Sequence, residues 1–335
     1  MIKFRLSGIT ALFTAILFYG CSRQSHGMVD AKDLIVINRF DSALYLWIDT
    51  DSACYLNKVI DTNSQLLGLL GKTLFSDPPE DSAAFCDRLI NYYSEPTLKS
   101  LYKDELSFYS SDSERFKQFK EELSFGFAEM KRQLPSIQIP AVSLHVSGFQ
   151  QNIIVADSLL SCSADRYLGS DYPLYQDFFY PFQRKAMTAD RIAKDCLSAW
   201  LRSEYPFKGD DKVLLDRMLY EGKIIYALIQ TGYNYTFQNI LTVSDDEYKW
   251  FLEYEPALWT TINERKHLDT PDLITTSRYF LPQPATFIAA DAPGNPGSFI
   301  GYRIICDYMK RTGSSLEKLM YMTDYQTIIK KAKYK

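Results

Sequence analysis

The sequence predicts an α+β fold in which a small antiparallel sheet is surrounded by a large set of helices. Apolar residues recur at helical spacing through residues 40–134, whereas residues 136–149 alternate between apolar and polar side chains and residues 151–169 contain β-rich segments. Helical spacing returns after residue 187. We therefore expect one large α+β domain at residues 33–335, with a helical half at 40–134 and the sheet and core helices at 135–335.

The first residues are typical of an export signal. Lys3 and Arg5 give a basic start, and the mostly apolar segment LSGITALFTAILFY follows, which is short for a membrane span. Gly20 precedes Cys21, as in lipoproteins whose cysteine is acylated after cleavage. We predict a lipoprotein signal peptide at 1–20, lipidation at Cys21 and a polar tether at 21–32. The alternative is an ordinary secretory signal with a chance cysteine.

Composition narrows the class of protein further. The chain has 335 residues and a net charge of −4, and loss of a signal containing Lys3 and Arg5 makes it more acidic. Such a balance does not indicate a nucleic-acid binder, because those proteins present basic patches. Aromatic residues form 15% of the chain, which favours a well-filled core and a contact surface.

The six cysteines show no metal or redox pattern. Apart from Cys21 they are widely and irregularly spaced, without a Cys-x-x-Cys pair. We expect Cys162, Cys196 and Cys306, which lie in apolar segments, to be small buried hydrophobes. No disulfide framework is expected, although Cys54 and Cys86 lie in a chain bound for a compartment that permits disulfides.

Before residue 135 the sequence predicts a short strand and then helices. The strand is the apolar run at 34–38, and the segment SDPPED ends one helix and caps the next. The helix before residue 134 has apolar residues on one side and charges on the other. One predicted helix begins at Ser42, and three others cover 56–74, 81–93 and about 112–133.

After residue 135 the sequence predicts strands and then helices again. Residues 151–169 contain two β-rich segments around a polar break, which we expect to pair antiparallel at the centre of the domain. Thr188 or Asp190 caps the first helix that follows. The later elements are helices at 187–205, 214–230, about 245–259 and 302–313, a loop at 292–301 and a short basic tail.

Six segments follow one another in a recognisable order: INRFDSALY, LPSIQIPAVSLHVSGF, ADRYLGSDYPLY, YEGKIIY, EPALW and GSFIGYRIICDYM. In this order the chain resembles the gliding-motility lipoproteins of the GldB family. The resemblance covers essentially the whole mature chain. It implies a Bacteroidetes-type envelope lipoprotein that acts in gliding or in the protein secretion linked to it, and a relation to zinc-dependent peptidases of the zincin type.

A zinc peptidase site of that type is excluded by the histidines. Two histidines at i and i+4 on one helix are needed, with a glutamate between them. The chain has only His26, His145 and His267, and no two can share a helical turn. We therefore predict a zincin-like fold without the metal motif, no cofactor and a pseudoenzyme rather than an enzyme.

Charges within the predicted helix at 214–230 form the first candidate site. On a helical wheel Lys223 lies with the polar residues, whereas Arg217 and Glu221 lie on the opposite, apolar side. We predict an internal ion pair between Arg217 and Glu221, because a lone buried charge is costly. In the resemblance to metallopeptidases, Tyr220 and Ile224 stand where the two histidines would be, and Glu221 where the base would be.

Two other classes of function stay open. A carboxylate-dependent hydrolase would use Glu221, Asp165 and Glu255, the last resembling the position of a former third ligand. A receptor for peptide termini or glycans would use Arg303 and the aromatic segment 167–175, with Tyr167, Tyr172 and Tyr175 as anchors. Packing of those tyrosines over the core is the structural alternative.

The interpretation we adopt is a non-catalytic component of an envelope assembly. Its expected partners are the membrane, through lipid at Cys21, and other envelope proteins. The segment SRQSHG after Cys21 has no acidic residue. Since the resemblance implies acidic residues there in surface-exported lipoproteins, we expect the periplasmic face of the outer membrane.

Overall fold

The computed structural model describes residues 35–50, 53–76, 82–269 and 271–335. The predicted signal peptide, tether, Cys21 and His26, together with most of the segment SDPPED, lie outside these residues. The described elements are β1 (Ile37–Asn38), α1 (Phe40–Thr50), α2 (Ala53–Leu74), α3 (Ser82–Tyr93), α4 (Pro96–Phe108), α5 (Glu114–Gln133), β2 (Ala141–His145), β3 (Ile153–Ala156), β4 (Leu159–Ser163), α6 (Tyr175–Phe178), α7 (Pro181–Arg184), α8 (Ile192–Glu204), α9 (Leu214–Thr231), α10 (Phe237–Leu241), α11 (Asp245–Glu264), α12 (Leu273–Arg278), α13 (Pro296–Thr312), α14 (Leu316–Tyr321) and α15 (Tyr325–Ala332).

The sheet is mixed, which corrects the predicted antiparallel sheet. Its four strands lie in the order β1-β2-β4-β3. The hairpin of β3 and β4 is antiparallel, as predicted, with Ile153 opposite Cys162. However, β2 pairs parallel with both β1 and β4, with Val142 opposite Ile37 on one side and Leu160 on the other. Parallel pairing requires long connections, here the helices α1–α5 and the hairpin, and no alternation pattern specifies it.

The sheet lies between two hydrophobic clusters. The larger one contains Val142, Leu144 and Leu160 from the sheet and most of the buried residues of α5, α8, α9 and α13. The smaller one joins α1–α4 to Ile154 and Leu159. Since successive side chains of a strand point to opposite faces, both faces of β2 and β4 are covered by helices.

Some helices are absent from the prediction, and others differ from it at their ends. Helix α4 was not predicted; it begins at Pro96 after the N-cap Glu95, whose carboxylate accepts a hydrogen bond from the N–H of Leu98. Helix α1 begins at Phe40 rather than at Ser42. The expected basic tail is helical, because its apolar residues in α14 and α15 pack on the core.

The predicted loop at 292–301 ends early, since α13 already starts at Pro296. Two glycines explain how this helix packs on α9. A Cβ at Gly301 would overlap the backbone of Met218, and one at Gly222 would overlap the backbone of Gly301. The glycines therefore let the two helices approach to backbone contact. In the described part of the chain, none of the helices is both long and apolar enough to cross a membrane.

Candidate functional site

Glu221 is held by an arginine from another helix. Both terminal nitrogens of Arg202 on α8 donate to the Glu221 carboxylate, at 2.9 and 2.7 Å. The predicted partner Arg217 lies farther away, with a nitrogen–oxygen distance of 3.9 Å. Arg217 also lies 3.3 Å from Asp211 and faces the rings of Phe207 and Phe280. The strongest ion pair of Glu221 therefore joins α8 to α9 rather than two turns of α9.

The buried charge of α9 is Lys223, which corrects its predicted position on the polar side. Its side chain is only 2% exposed, and its ammonium donates to the carbonyl oxygens of Met320 and Met322 at 3.2 and 2.7 Å. Burial lowers the pKa of Lys223 to about 8. The helical wheel failed because α14 and α15 cover the side of α9 that sequence analysis left to solvent.

Asp165 is fully buried in a network that shapes the turn after β2. Its carboxylate accepts hydrogen bonds from the Ser163 hydroxyl and from the N–H groups of Ser147 and Phe149, at 3.3 and 3.0 Å for the backbone donors. Burial raises the pKa of Asp165, and these hydrogen bonds oppose the rise. Gly148 and Phe149 have φ angles of 63° and 69°, a left-handed conformation that the carboxylate stabilises.

Glu255 forms a third, separate network. Its Oε1 accepts hydrogen bonds from Arg303 Nε at 3.0 Å and from the Tyr334 hydroxyl at 2.6 Å. Arg303 is thus bound to a carboxylate of α11. Among the described residues, Asp165, Glu221 and Glu255 share no hydrogen-bond or ion-pair partner. The hydrolase considered from the sequence would need these three carboxylates to lie in one site.

The three predicted tyrosine anchors have structural partners. The Tyr167 hydroxyl donates to Asp195 at 3.0 Å, that of Tyr175 to the Asp165 carbonyl at 2.5 Å, and that of Tyr172 to Asp104 at 2.7 Å. Tyr167 and Tyr175 are buried and cannot contact a ligand at the surface, so the prediction that they anchor one is wrong for these two. Tyr172 is half-buried.

An open apolar groove lies directly above this buried network. Its volume is about 500 Å³. It is lined by α3, α4, the turn after β2 and α6. The lining residues are Asn91, Tyr92, Glu95, Thr97, Leu98, Leu101, Gly148, Phe149, Leu174 and Phe178. We call it the α4–α6 groove.

Phe149 connects the buried network to the groove. Its ring contacts those of Tyr175, Phe178 and Phe179 at centroid distances of 5.4, 5.8 and 5.4 Å. The Tyr92 hydroxyl donates to the Ser147 carbonyl at 3.0 Å and fixes the turn from the other side. At the edge, Phe178 is 62% exposed and Tyr180 is 70% exposed. Asp165 and Tyr175 thus act as supports beneath an aromatic surface.

Sequence analysis missed most of this surface. Tyr92 lies in the last turn of the helix predicted at 81–93. Leu98 belongs to α4, which was not predicted. Phe149 stood in the segment SGF without a sign of its left-handed backbone. Gly148 is the one local signal of a turn here, because glycine commonly ends a strand.

A buried carboxyl pair near β1 was also missed. Asp41 is fully buried and forms an ion pair with Arg39 at 2.6 Å. The Glu105 carboxyl, equally buried, meets no N–H or O–H donor from the described residues. Burial, followed by the neighbouring Asp41, raises the pKa of Glu105 well above its ordinary value. Burial therefore favours the protonated form of Glu105, which can donate its proton to Asp41.

The histidines do not form a site in the described chain. His145 is buried on β2, where its Nδ1 lies 2.8 Å from the Ser161 hydroxyl and burial lowers its pKa to about 3. His267 pairs with the Tyr279 hydroxyl at 2.8 Å. Across the described ranges, no three or more His, Cys, Asp and Glu residues cluster closely enough to hold a metal ion. Cys162 and Cys196 are buried, and Cys306 is half-buried.

These features define a mixed α+β protein with an apolar surface groove supported by a buried hydrogen-bonded network. The family described as "Gliding motility protein GldB" matches residues 24–335, and the chain belongs to that family. It is accordingly a gliding-motility-associated protein, and the family is one of lipoproteins. No curated protein and no solved structure matches the chain, so the zincin-like relation stays a prediction.

Proposed function

We propose that the protein is a non-catalytic component of an envelope assembly that serves gliding motility or the secretion linked to it. In this proposal it is anchored by lipid at Cys21 to the periplasmic face of the outer membrane, and it binds another envelope protein through the α4–α6 groove. The observation that supports the binding role is the groove itself, with Phe178 exposed at its edge. Exposed apolar surface of this kind is typical of interaction sites.

The partners of the candidate carboxylates favour a structural role for them. Glu221 is bound by Arg202, Glu255 by Arg303 and Tyr334, and Asp165 by the turn beneath the groove. A general base needs a free lone pair directed at a substrate. We infer that these groups fix helices and turns, and that any relation to zincins concerns the fold alone.

The groove lining indicates the chemistry of the partner. Leu98, Leu101, Phe149, Leu174 and Phe178 supply apolar and aromatic surface. The one charged lining residue is Glu95, an exposed carboxylate. The expected occupant is an apolar segment of a protein with a lysine or arginine beside it, since that charge would complement Glu95.

The test is a crosslinked pull-down of the lipidated protein from native membranes. The chain with Phe178→Asp is compared with wild type and with Ile274→Asp, a control in which an equally exposed apolar residue on α12 is replaced (Ile274 is 74% exposed). We expect wild type and the control to recover the same envelope proteins and Phe178→Asp to lose at least one of them. Equal recovery by all three proteins would contradict the groove as the binding surface.

The anchor is tested separately. With Cys21→Ser we expect the protein to lose the incorporation of a fatty-acid probe that wild type shows. Equal incorporation by the two proteins would contradict lipid anchoring at Cys21 without affecting the groove.

A further inference from the structure

The structure has a second open cleft, and its lining is cationic rather than apolar. It has a volume of about 660 Å³ and lies between the C-terminal ends of α13 and α15. We call it the C-terminal cleft. Its lining residues are Arg311, Thr312, Thr327, Lys330, Lys331 and Lys333. No acidic residue lines it, although the whole chain has a net charge of −4.

The cations of this cleft are only partly neutralised by nearby carboxylates. In the described part of the chain, Arg311, Lys330 and Lys333 form no ion pair, and all three are exposed. The pKa of Asp324 is lowered by the hydrogen bonds it accepts from the hydroxyl and the N–H of Thr327, at 2.6 and 2.9 Å, and to a smaller extent by the charge of Lys331. This single carboxylate offsets only part of the charge of the four cations. The positive potential of the cleft is therefore available to a ligand.

The walls of the cleft are fixed by packing. Ile328 and Ala332 of α15 are buried against the larger cluster. Beyond the helix, the Tyr334 hydroxyl donates to Glu255 and its ring contacts that of Trp259 at 5.1 Å. Lys333, which precedes this anchored tyrosine, is thereby held at the cleft edge. A site with fixed walls loses less entropy when a ligand binds.

The hydroxyl groups of the cleft are already engaged. Thr312 donates to the Tyr308 carbonyl at 2.8 Å, and Thr327 donates to Asp324. The cleft therefore offers a ligand four cationic side chains and no free neutral donor to orient it. Such a site binds multiply charged oxyanions, phosphate above all, through charge and with little shape selection.

We propose that the C-terminal cleft binds phosphate groups of anionic phospholipid headgroups at the membrane surface. An open, charge-based site suits a surface crowded with headgroups better than a single soluble metabolite. The chain between Cys21 and Ile35 reaches on the order of 45 Å when extended, which is similar to the roughly 50 Å width of a domain of this size. A lipid at Cys21 would thus keep the cleft within reach of headgroups, and the proposal uses the proposed anchor only in this way.

The test uses the mature chain with Cys21→Ser, so that no acyl group contributes to membrane binding. Its co-sedimentation is measured with vesicles of phosphatidylcholine alone and with added phosphatidylglycerol, and its binding of inorganic pyrophosphate is measured by calorimetry. We expect binding to the phosphatidylglycerol vesicles that weakens as salt rises. The double variant Lys330→Ala/Lys333→Ala should bind them about 25-fold more weakly, at about fivefold for each lysine.

The matched control is Lys117→Ala/Lys249→Ala, which makes the same change in net charge at exposed lysines of α5 and α11. It should bind the vesicles like the parent, and Lys330→Arg/Lys333→Arg should keep most of the affinity. Equal losses in the control would overturn the proposal in favour of non-specific attraction. Pyrophosphate binding without vesicle binding would overturn the membrane source, and binding to neither would overturn the site. The lysines are exposed, so unchanged circular dichroism is expected for every variant.

Discussion

Arg202 of α8 holds Glu221 of α9 through two parallel hydrogen bonds of 2.9 and 2.7 Å. This bidentate geometry is the strongest form of an arginine–carboxylate pair. It explains why a charged residue stands in a helix whose other residues are mostly buried: Glu221 connects two core helices. Arg217, which shares the helix with Glu221, is a minor partner at 3.9 Å.

The first prediction concerns how strongly each arginine is coupled to Glu221. In double-mutant cycles with alanine, we expect a coupling free energy of about 1.5 kcal/mol for Arg202 and Glu221, because their two hydrogen bonds are short and bidentate. For Arg217 and Glu221 we expect less than about 0.5 kcal/mol, because their separation of 3.9 Å is too long for a hydrogen bond. Urea unfolding of the single and double variants measures both. A larger coupling for Arg217 would contradict the structure.

The second prediction concerns the contact of α9 with α13. Gly301→Ala should lower the free energy of unfolding by about 2 kcal/mol or more, because the new methyl group would overlap the backbone of Met218. Gly68→Ala in α2 is the matched control, since a Cβ there has open space around it. The control should be neutral or stabilising by about 0.5 kcal/mol. Equal effects in thermal unfolding would show that the helices are not in backbone contact.

The third prediction follows from the buried Lys223. Its folded pKa, about 8, lies below the ordinary value of 10.5, so between these values the unfolded chain binds more protons than the folded one. Stability should therefore rise with pH, by about 2 kcal/mol between pH 8 and 9.5 relative to Lys223→Met. Urea unfolding across this range measures the difference. In Lys212→Met, which removes an exposed lysine, the wild-type dependence on pH should persist.

The fourth prediction concerns Glu105. Burial and the neighbouring Asp41 raise its pKa above the ordinary value of 4.5, so above pH 4.5 the folded chain holds a proton that the unfolded chain releases. Its contribution to stability is present at low pH and declines as pH rises toward the folded pKa. Glu105→Gln should therefore gain stability relative to wild type between pH 4.5 and 8. A constant difference across that range would mean that Glu105 is ionised in the fold.

Local patterns in the sequence predicted most helices but not the surface that they build. The apolar period of α9 placed its ends within one residue, at Leu214 and Thr231. The same period put Lys223 on the solvent side, because it does not record that α14 and α15 fold back over that side. Likewise, alternation predicted the β3–β4 hairpin, but the parallel pairing of β2 depends on contacts distant in the sequence.

The candidate site was only partly predictable for the same reason. The segment ADRYLGSDYPLY drew attention to Asp165 and its tyrosines, which do lie beneath the groove. The exposed part of the groove comes from α4, from Phe149 and from Phe178, residues that tertiary packing brings together. Glu255 and Arg303 each stood out in the sequence, and their direct contact at 3.0 Å is visible only in three dimensions.

The measurement that tests the central claim most directly is site-specific photo-crosslinking in native membranes. A photoreactive amino acid is placed at Phe178, at the edge of the α4–α6 groove, or at Ile274 on α12, which is similarly exposed. We predict a discrete adduct with an envelope protein at position 178 and none of that size at position 274. No adduct at position 178, or the same adduct at both positions, would contradict binding through the groove.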